Sequence, residues 1–312
     1  MIEVQNLTKR YGDTIAVNAI SFSVTKGEIV GLLGPNGAGK TTTMRILTCY
    51  LPADDGKATV AGKDVFEQSL EVRRCIGYLP ENNPLYAEMG VVDYLGFIAS
   101  IRKIPRKQVN GKIREMIEVC GLEPVMNKNV GELSKGFCQR VGLAQAMIHN
   151  PDILILDEPT VGLDPNQIVE IRELIKRIGE EKTVILSSHI LPEVAATCTR
   201  IIIMNNGRIA GSGTPEEMST RAKGGGVIHI VIRGPVGMIK EKLHSMPNVK
   251  SFEVKGPEGD TKTHFEVIST GADSVAEELF RMVADNGWTL SELRQETLSL
   301  EDVFQQLTLR ES

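Results

Sequence analysis

Residues 34–41, GPNGAGKT, lie between an apolar run, IVGLL, and a helix-forming segment predicted to extend from about Gly39 to Leu51. The spacing is that of G-x-x-x-x-G-K-[ST]. Gly34, Gly37 and Gly39 permit backbone angles that turn successive N–H groups inward. The N-terminus of the following helix adds partial positive charge, so a triphosphate would meet donors already aimed at it. Pro35, Asn36, Ala38 and Thr42 complete the cradle, Lys40 is placed to bridge the β- and γ-phosphates, and the Thr41 hydroxyl is placed to hold Mg²⁺.

Outward from this loop, apolar runs alternate with amphipathic stretches: IEVQNL and AISFSV before it, DILILD, TVILSS and RIIIM after it. Such alternation predicts an α/β fold around a partly parallel sheet. Asn206–Gly207 reads as a two-residue hairpin turn closing that sheet. In residues 152–165, DILILDEPTVGLDP, a buried strand ends in two carboxylates. Asp157 is placed for the magnesium shell, and Glu158 to orient or deprotonate the attacking water.

The whole chain has 312 residues, a length that suggests two domains. With 35 Lys and Arg against 40 Asp and Glu the net charge is −5, which argues against a nucleic-acid partner. The longest uncharged stretch is about twelve residues, short of the ~20 a membrane span requires, and no secretory signal opens the chain, so a cytosolic protein is expected. Cys49, Cys75, Cys120, Cys138 and Cys198 are scattered without C-x-x-C spacing and read as reduced thiols. KGGG at 223–226 is the most linker-like stretch. The net negative charge lies entirely beyond residue 215. From Val227 the order reads strand, helix, strand, strand, helix, strand, the ferredoxin-like pattern. A last short helix is expected to carry Leu300, Val303, Phe304 and Leu307 on one face, with Ser299 and Asp302 as its cap.

A third motif, LSKGFCQR at 133–140, brings the set close to a known family. Residues 1 to about 215 resemble the ATP-binding subunits of ABC transporters, with phosphate loop, LSxGxxQR, Asp-Glu strand end, GLDP and a following His in order. The resemblance implies a P-loop ABC ATPase domain over 1–215, with a mixed sheet and a helical subdomain. A linker at 216–226 and a C-terminal α+β domain over 227–312 would follow. It also implies ATP and Mg²⁺ as cofactors and catalysis by Glu158, His189 and Lys40. Two copies would dimerise head to tail, with Ser134, Gly136 and Gln139 of one reaching the nucleotide held by the other. Tyr11 matches the aromatic that stacks on adenine, and Asp164 the loop that crosses the interface. Glu81 departs from the pattern: it stands where the family usually has Gln near the metal, adding a negative charge beside Asp157 and Glu158.

Because the chain has no expected membrane span, the resemblance implies a separate permease reached from the cytoplasmic face, docking near Leu85, Tyr86 and Val91. SLEDVFQQLT at 299–308 is similar to the end of the extension on subunits that drive ABC-2-type permeases, a group rich in exporters. With LPENNPLY it most resembles the gliding-motility-associated and multidrug-export branch. The competing class is a non-transport ABC ATPase acting on ribosomes or DNA. It predicts two cassettes or a long coiled coil, and the chain has one of each motif and no sustained heptads.

Overall fold

The computed structural model describes residues 1–222, 227–257, 262–269, 275–296 and Phe304. The chain divides into two units, Met1–Thr214 and one that begins at Pro215. The first opens with two antiparallel strands, β1 (Ile2–Tyr11) and β2 (Thr14–Val24), and enters β3 (Ile29–Leu33), every residue of which is buried. The glycine loop then leads into α1 (Lys40–Leu47). Next come β4 (Asp55–Val60), β5 (Lys63–Asp64), α2 (Ser69–Cys75) and β6 (Ile76–Leu79). A helical region follows, α3 (Val91–Ile101), α4 (Arg106–Cys120) and α5 (Lys135–Met147). The unit ends with β7 (Ile153–Asp157), α6 (Pro165–Gly179), β8 (Thr183–Ser188), α7 (Leu191–Thr197) and the hairpin β9 (Arg200–Asn205) and β10 (Arg208–Gly213).

These strands make a six-stranded sheet in the order β10-β9-β3-β8-β7-β6, parallel except for β10, and an antiparallel sheet in the order β2-β1-β4-β5. Continuous apolar runs such as ILIL in β7 belong to strands covered on both faces. Helix α1 supplies Met44, Ile46 and Leu47 to a core that also takes Val30, Leu32 and Ile155 from the large sheet and Ile2, Leu7 and Val60 from the small one. The phosphate loop is therefore anchored at its helical end between two sheets.

Three expectations are corrected. Helix α1 stops at Leu47 rather than Leu51, because Thr48 leaves helical geometry and Cys49 is left-handed at φ 59°. Val91, expected on a docking surface, is fully buried as the first residue of α3, while Tyr86 and Phe97 are exposed and packed edge-on with ring centroids 5.6 Å apart. Within the expected linker, residues 216–222 lie in a helix, α8 (Pro215–Ala222), which begins with proline at a position where a missing N–H costs nothing.

The second unit continues with β11 (Val227–Arg233), α9 (Val236–Ser245), β12 (Val249–Pro257), β13 (Lys262–Ser269), α10 (Val275–Asp285) and β14 (Thr289–Glu296). This is the βαββαβ order, folded into an all-antiparallel sheet β12-β13-β11-β14. Strict alternation along β13 turns Phe265 and Val267 onto a core with Ile228, Ile230, Leu243 and Leu279. Residues 223–226 and the expected last helix, apart from Phe304, lie outside the described residues. Among the described residues no helix is long and apolar enough to cross a membrane.

Candidate functional site

The glycine loop is shaped by its neighbours as much as by its own sequence. Gly39 has φ 100°, and a Cβ there would stand 2.4 Å from the Ala16 carbonyl oxygen; one on Gly34 would stand 2.3 Å from the Met204 carbonyl oxygen. Only glycine lets the loop pass between β2 and β9. The hairpin turn closes the other side: Asn206 and Gly207 both have positive φ, 46° and 74°, and Gly207 N–H donates to the Ala38 carbonyl at 3.2 Å. Asn206 and Ile15 line the resulting cleft of about 660 Å³ together with residues 36–42, Glu81, Glu158 and His189. Ser187 and Ile15 carry no sequence signal strong enough to mark them beforehand, and Asn206 is marked only as a turn residue. Ser187 is one serine at the end of an apolar strand, and Ile15 and Asn206 reach the cleft only through tertiary packing.

Lys40, buried at the start of α1, donates through Nζ to the Gly34 and Pro35 carbonyls at 2.8 and 3.3 Å and lies 3.5 Å from Glu158 Oε1. Glu158 follows the last residue of β7 in the left-handed region, φ 47°, a conformation that costs a non-glycine residue energy and recurs where function requires it. Its backbone N–H donates to Ser187 Oγ at 2.9 Å, and its Oε2 lies 3.0 Å from His189 Nδ1. One carboxylate is thus held by a lysine on one side and an imidazole on the other, facing the cleft.

Asp157 Oδ1 accepts from Ser187 Oγ at 2.6 Å and from Thr41 Oγ1 at 3.2 Å, while its buried Oδ2 has no hydrogen-bond partner. Burial pushes the Asp157 carboxyl above the usual carboxylate range. The Ser187 and Thr41 hydroxyls pull it down, and the negative Glu81 and Glu158 push it up again. A buried oxygen without a partner, beside a threonine hydroxyl and under anionic pressure, is the environment a small hard cation relieves. Thr41 and Asp157 therefore fit Mg²⁺ as its protein ligands, with phosphate oxygens and water to complete the shell. Among the described residues no group of three His, Cys, Asp or Glu side chains gathers into a metal site.

The family profile described as "ABC transporter" matches residues 17–161, and a second, described as "AAA domain, putative AbiEii toxin, Type IV TA system", matches 128–196. An uncharacterized ABC transporter ATP-binding protein of Bacillus subtilis, YxlF, is 34% identical over 97% of this chain and 98% of its own length. The chain belongs to the ABC transporter ATP-binding family. The Nod factor export ATP-binding protein I of a Rhizobium species is 34% identical over 99% of this chain and 97% of its own. In structure, the dimeric form of a bacterial ABC transporter cassette superposes with a TM-score of 0.63 at 25% identity, over 69% of this chain and 98% of that one. The chain is accordingly an ABC ATPase that binds nucleotide.

The remaining family positions do not all meet at this cleft. Tyr11 ends β1 opposite Thr14, a cleft residue; it is 46% exposed, with Lys9 Nζ 6.0 Å from its ring centroid. Ser134 is exposed as the N-cap of α5 and accepts from Phe137 N–H at 3.4 Å. Gly136 lies beneath the Gln167 side chain, with no room for a Cβ, and Gln139 faces inward with its Oε1 unpartnered. Asp164 caps α6, accepting from the Asn166 and Gln167 N–H groups at 3.0 Å. None of Ser134, Gly136, Gln139 or Asp164 lines the cleft that holds Lys40 and Glu158. In this ABC ATPase the LSKG segment and the phosphate loop of one chain are separate surfaces.

Proposed function

We propose that this chain is the ATP-hydrolysing subunit of an exporter, in which two copies close around two Mg-ATP and drive a separate ABC-2-type permease. The observation that carries this reading is Glu158, held between Lys40 and His189 at the mouth of the glycine loop. Residues 34–42 would cradle the phosphates, with Thr41 and Asp157 as magnesium ligands and Glu81 beside them. Lys40 would move from Glu158 to the γ-phosphate, leaving Glu158 to take a proton from water while His189 holds it in place. Adenine would stack on the exposed ring of Tyr11.

The separation of Ser134 and Asp164 from the cleft of the same chain supports a composite site. The exposed N-terminus of α5, with Ser134, Gly136 and Gln139, would complete the anion site of a second copy, and Asp164 would lie along the seam between them. Gln167 must then swing off Gly136 before its N–H can reach a phosphate. Export and a permease partner are supported by what the Rhizobium relative is named for and by the exposed aromatic pair Tyr86 and Phe97 beside the Glu81 loop. Such a subunit works on the cytoplasmic face of the membrane.

The test is to trap Glu158→Gln with ATP in the native host, solubilise membranes gently, recover a tagged copy and identify its companions. A polytopic membrane protein at stoichiometric amount bears the proposal out. Ribosomes, DNA or no companion would leave an ABC ATPase without transport.

A further inference from the structure

A buried hydrogen bond lies outside the cleft but ties together the two loops that form it. Thr160 stands two residues after Glu158 and donates through Oγ1 to Glu193 Oε2 at 2.5 Å; Glu193 stands four residues after His189, in the first turn of α7. Thr160 and Glu193 are 6% and 9% exposed, so water does not compete for the bond. Each partner is fixed to its own element. The turn carrying Thr160 is closed by Val161 N–H to the Glu158 carbonyl at 3.2 Å and Leu163 N–H to the Thr160 carbonyl at 3.2 Å. Glu193 is held through its carbonyl, which accepts from Thr197 Oγ1 at 2.7 Å. Arg172, from α6, lines the same small void as Thr160 and Glu193, its buried Nε without a hydrogen-bond partner.

We infer that Glu193 is a positioning residue for hydrolysis, which with Thr160 sets the distance between Glu158 and His189. This rests on the reading of Glu158 as the catalytic carboxylate. The geometry has two braces. Above, Ser187 Oγ receives the Glu158 N–H and so joins the ends of β7 and β8. Below, the Thr160–Glu193 bond joins the stretches that leave those strands. Glu158 Oε2 and His189 Nδ1, 3.0 Å apart, sit between the two. Removal of the lower brace leaves the phosphate loop untouched, since Thr160 and Glu193 lie outside the cleft. The chemical step therefore loses its geometry while nucleotide binding keeps its own, and a displacement of a few tenths of an ångström at a general base is enough to lower a rate.

The test compares Thr160→Val, Thr160→Ser, Glu193→Ala, Glu193→Gln and Glu158→Gln in the full chain by steady-state ATPase kinetics, nucleotide affinity and thermal melting. Thr160→Val and Glu193→Ala are expected to lower kcat by about tenfold or more with KM and ATP affinity within about twofold. Thr160→Ser and Glu193→Gln, which keep a donor and an acceptor, should hold kcat within about threefold of wild type, and the double variant Thr160→Val/Glu193→Ala should be no slower than either single one. The inference is overturned if Thr160→Val turns over at the wild-type rate, if kcat falls only in step with ATP affinity and melting temperature, or if Thr160→Ser is as slow as Thr160→Val. A wild-type rate that Glu158→Gln leaves unchanged would instead overturn the reading of Glu158 itself.

Discussion

Glu81 brings a further negative charge to the cleft that holds Glu158. It faces the cleft, and its negative charge is among the influences that hold the Asp157 carboxyl above its usual range. If its role is reach rather than charge, Glu81→Gln hydrolyses ATP within about threefold of wild type, measured as phosphate release at saturating Mg²⁺. A loss of a hundredfold would show that the carboxylate is needed. A second residue offers a pH test away from the cleft. His149 donates through Nε2 to the Ile76 carbonyl at 2.9 Å, and burial, reinforced by the nearby Arg102 cation, depresses its imidazole to about 4. Unfolded, it binds a proton below about 6.5, so the unfolded chain holds more protons than the folded one between the two values. Stability contributed by neutral His149 is present above that window and is lost as pH falls through it. Thermal melts from pH 7 to pH 4.5 should therefore fall more steeply for the wild type than for His149→Gln; equal slopes would refute the assignment.

At the scale of elements, the contact between α5 and the stretch that follows β6 is built around an absence of side chain. A Cβ on Gly142 would stand 2.1 Å from Asn83 Nδ2 and 2.6 Å from Leu79 Cδ1. Gly142→Ala should displace the Glu81 loop from α5, leaving ATP affinity within about threefold while hydrolysis falls by about tenfold or more. Unchanged turnover would mean the loop yields without consequence. The exposed pair Tyr86 and Phe97 gives the complementary test. Phe97→Glu should leave the isolated chain's ATPase rate intact and abolish its recovery with membranes. Much of this was legible in the sequence because it is local: GPNGAGKT, the DE pair and the SSH stretch each carry their geometry within a few residues. What escaped is what distant chain supplies. Val91 is expected near a docking surface, yet it is fully buried as the first residue of α3. Ser187 reads as the end of a strand and becomes a clamp only because β7 and β8 are neighbours. The early end of α1 at Leu47 lacked the glycine that usually announces a left-handed residue, and Cys49 supplies it instead.

For the whole molecule, the two units have separate cores, one around α1 and one beneath the sheet of β11 to β14. A solved ABC transporter cassette superposes on 69% of this chain over 98% of its own length. A chain truncated after Thr214 should therefore fold and bind ATP within about threefold of the full chain, while its ATP-driven dimerisation weakens, as measured for both with Glu158→Gln by light scattering. Equal dimerisation would free the second unit from that role. The order β10-β9-β3-β8-β7-β6 has one more consequence, in the timing of synthesis. Strand β3 emerges early, yet both of its neighbours in the sheet, β8 and β9, begin only at Thr183 and Arg200. Until then the most apolar strand of the first unit has no hydrogen-bonding partner, and pairing across so long a separation is slow. The nascent chain therefore carries an exposed, aggregation-prone strand through most of the translation of this unit. Its dependence on chaperones should end abruptly once residues 183–205 have cleared the ribosome.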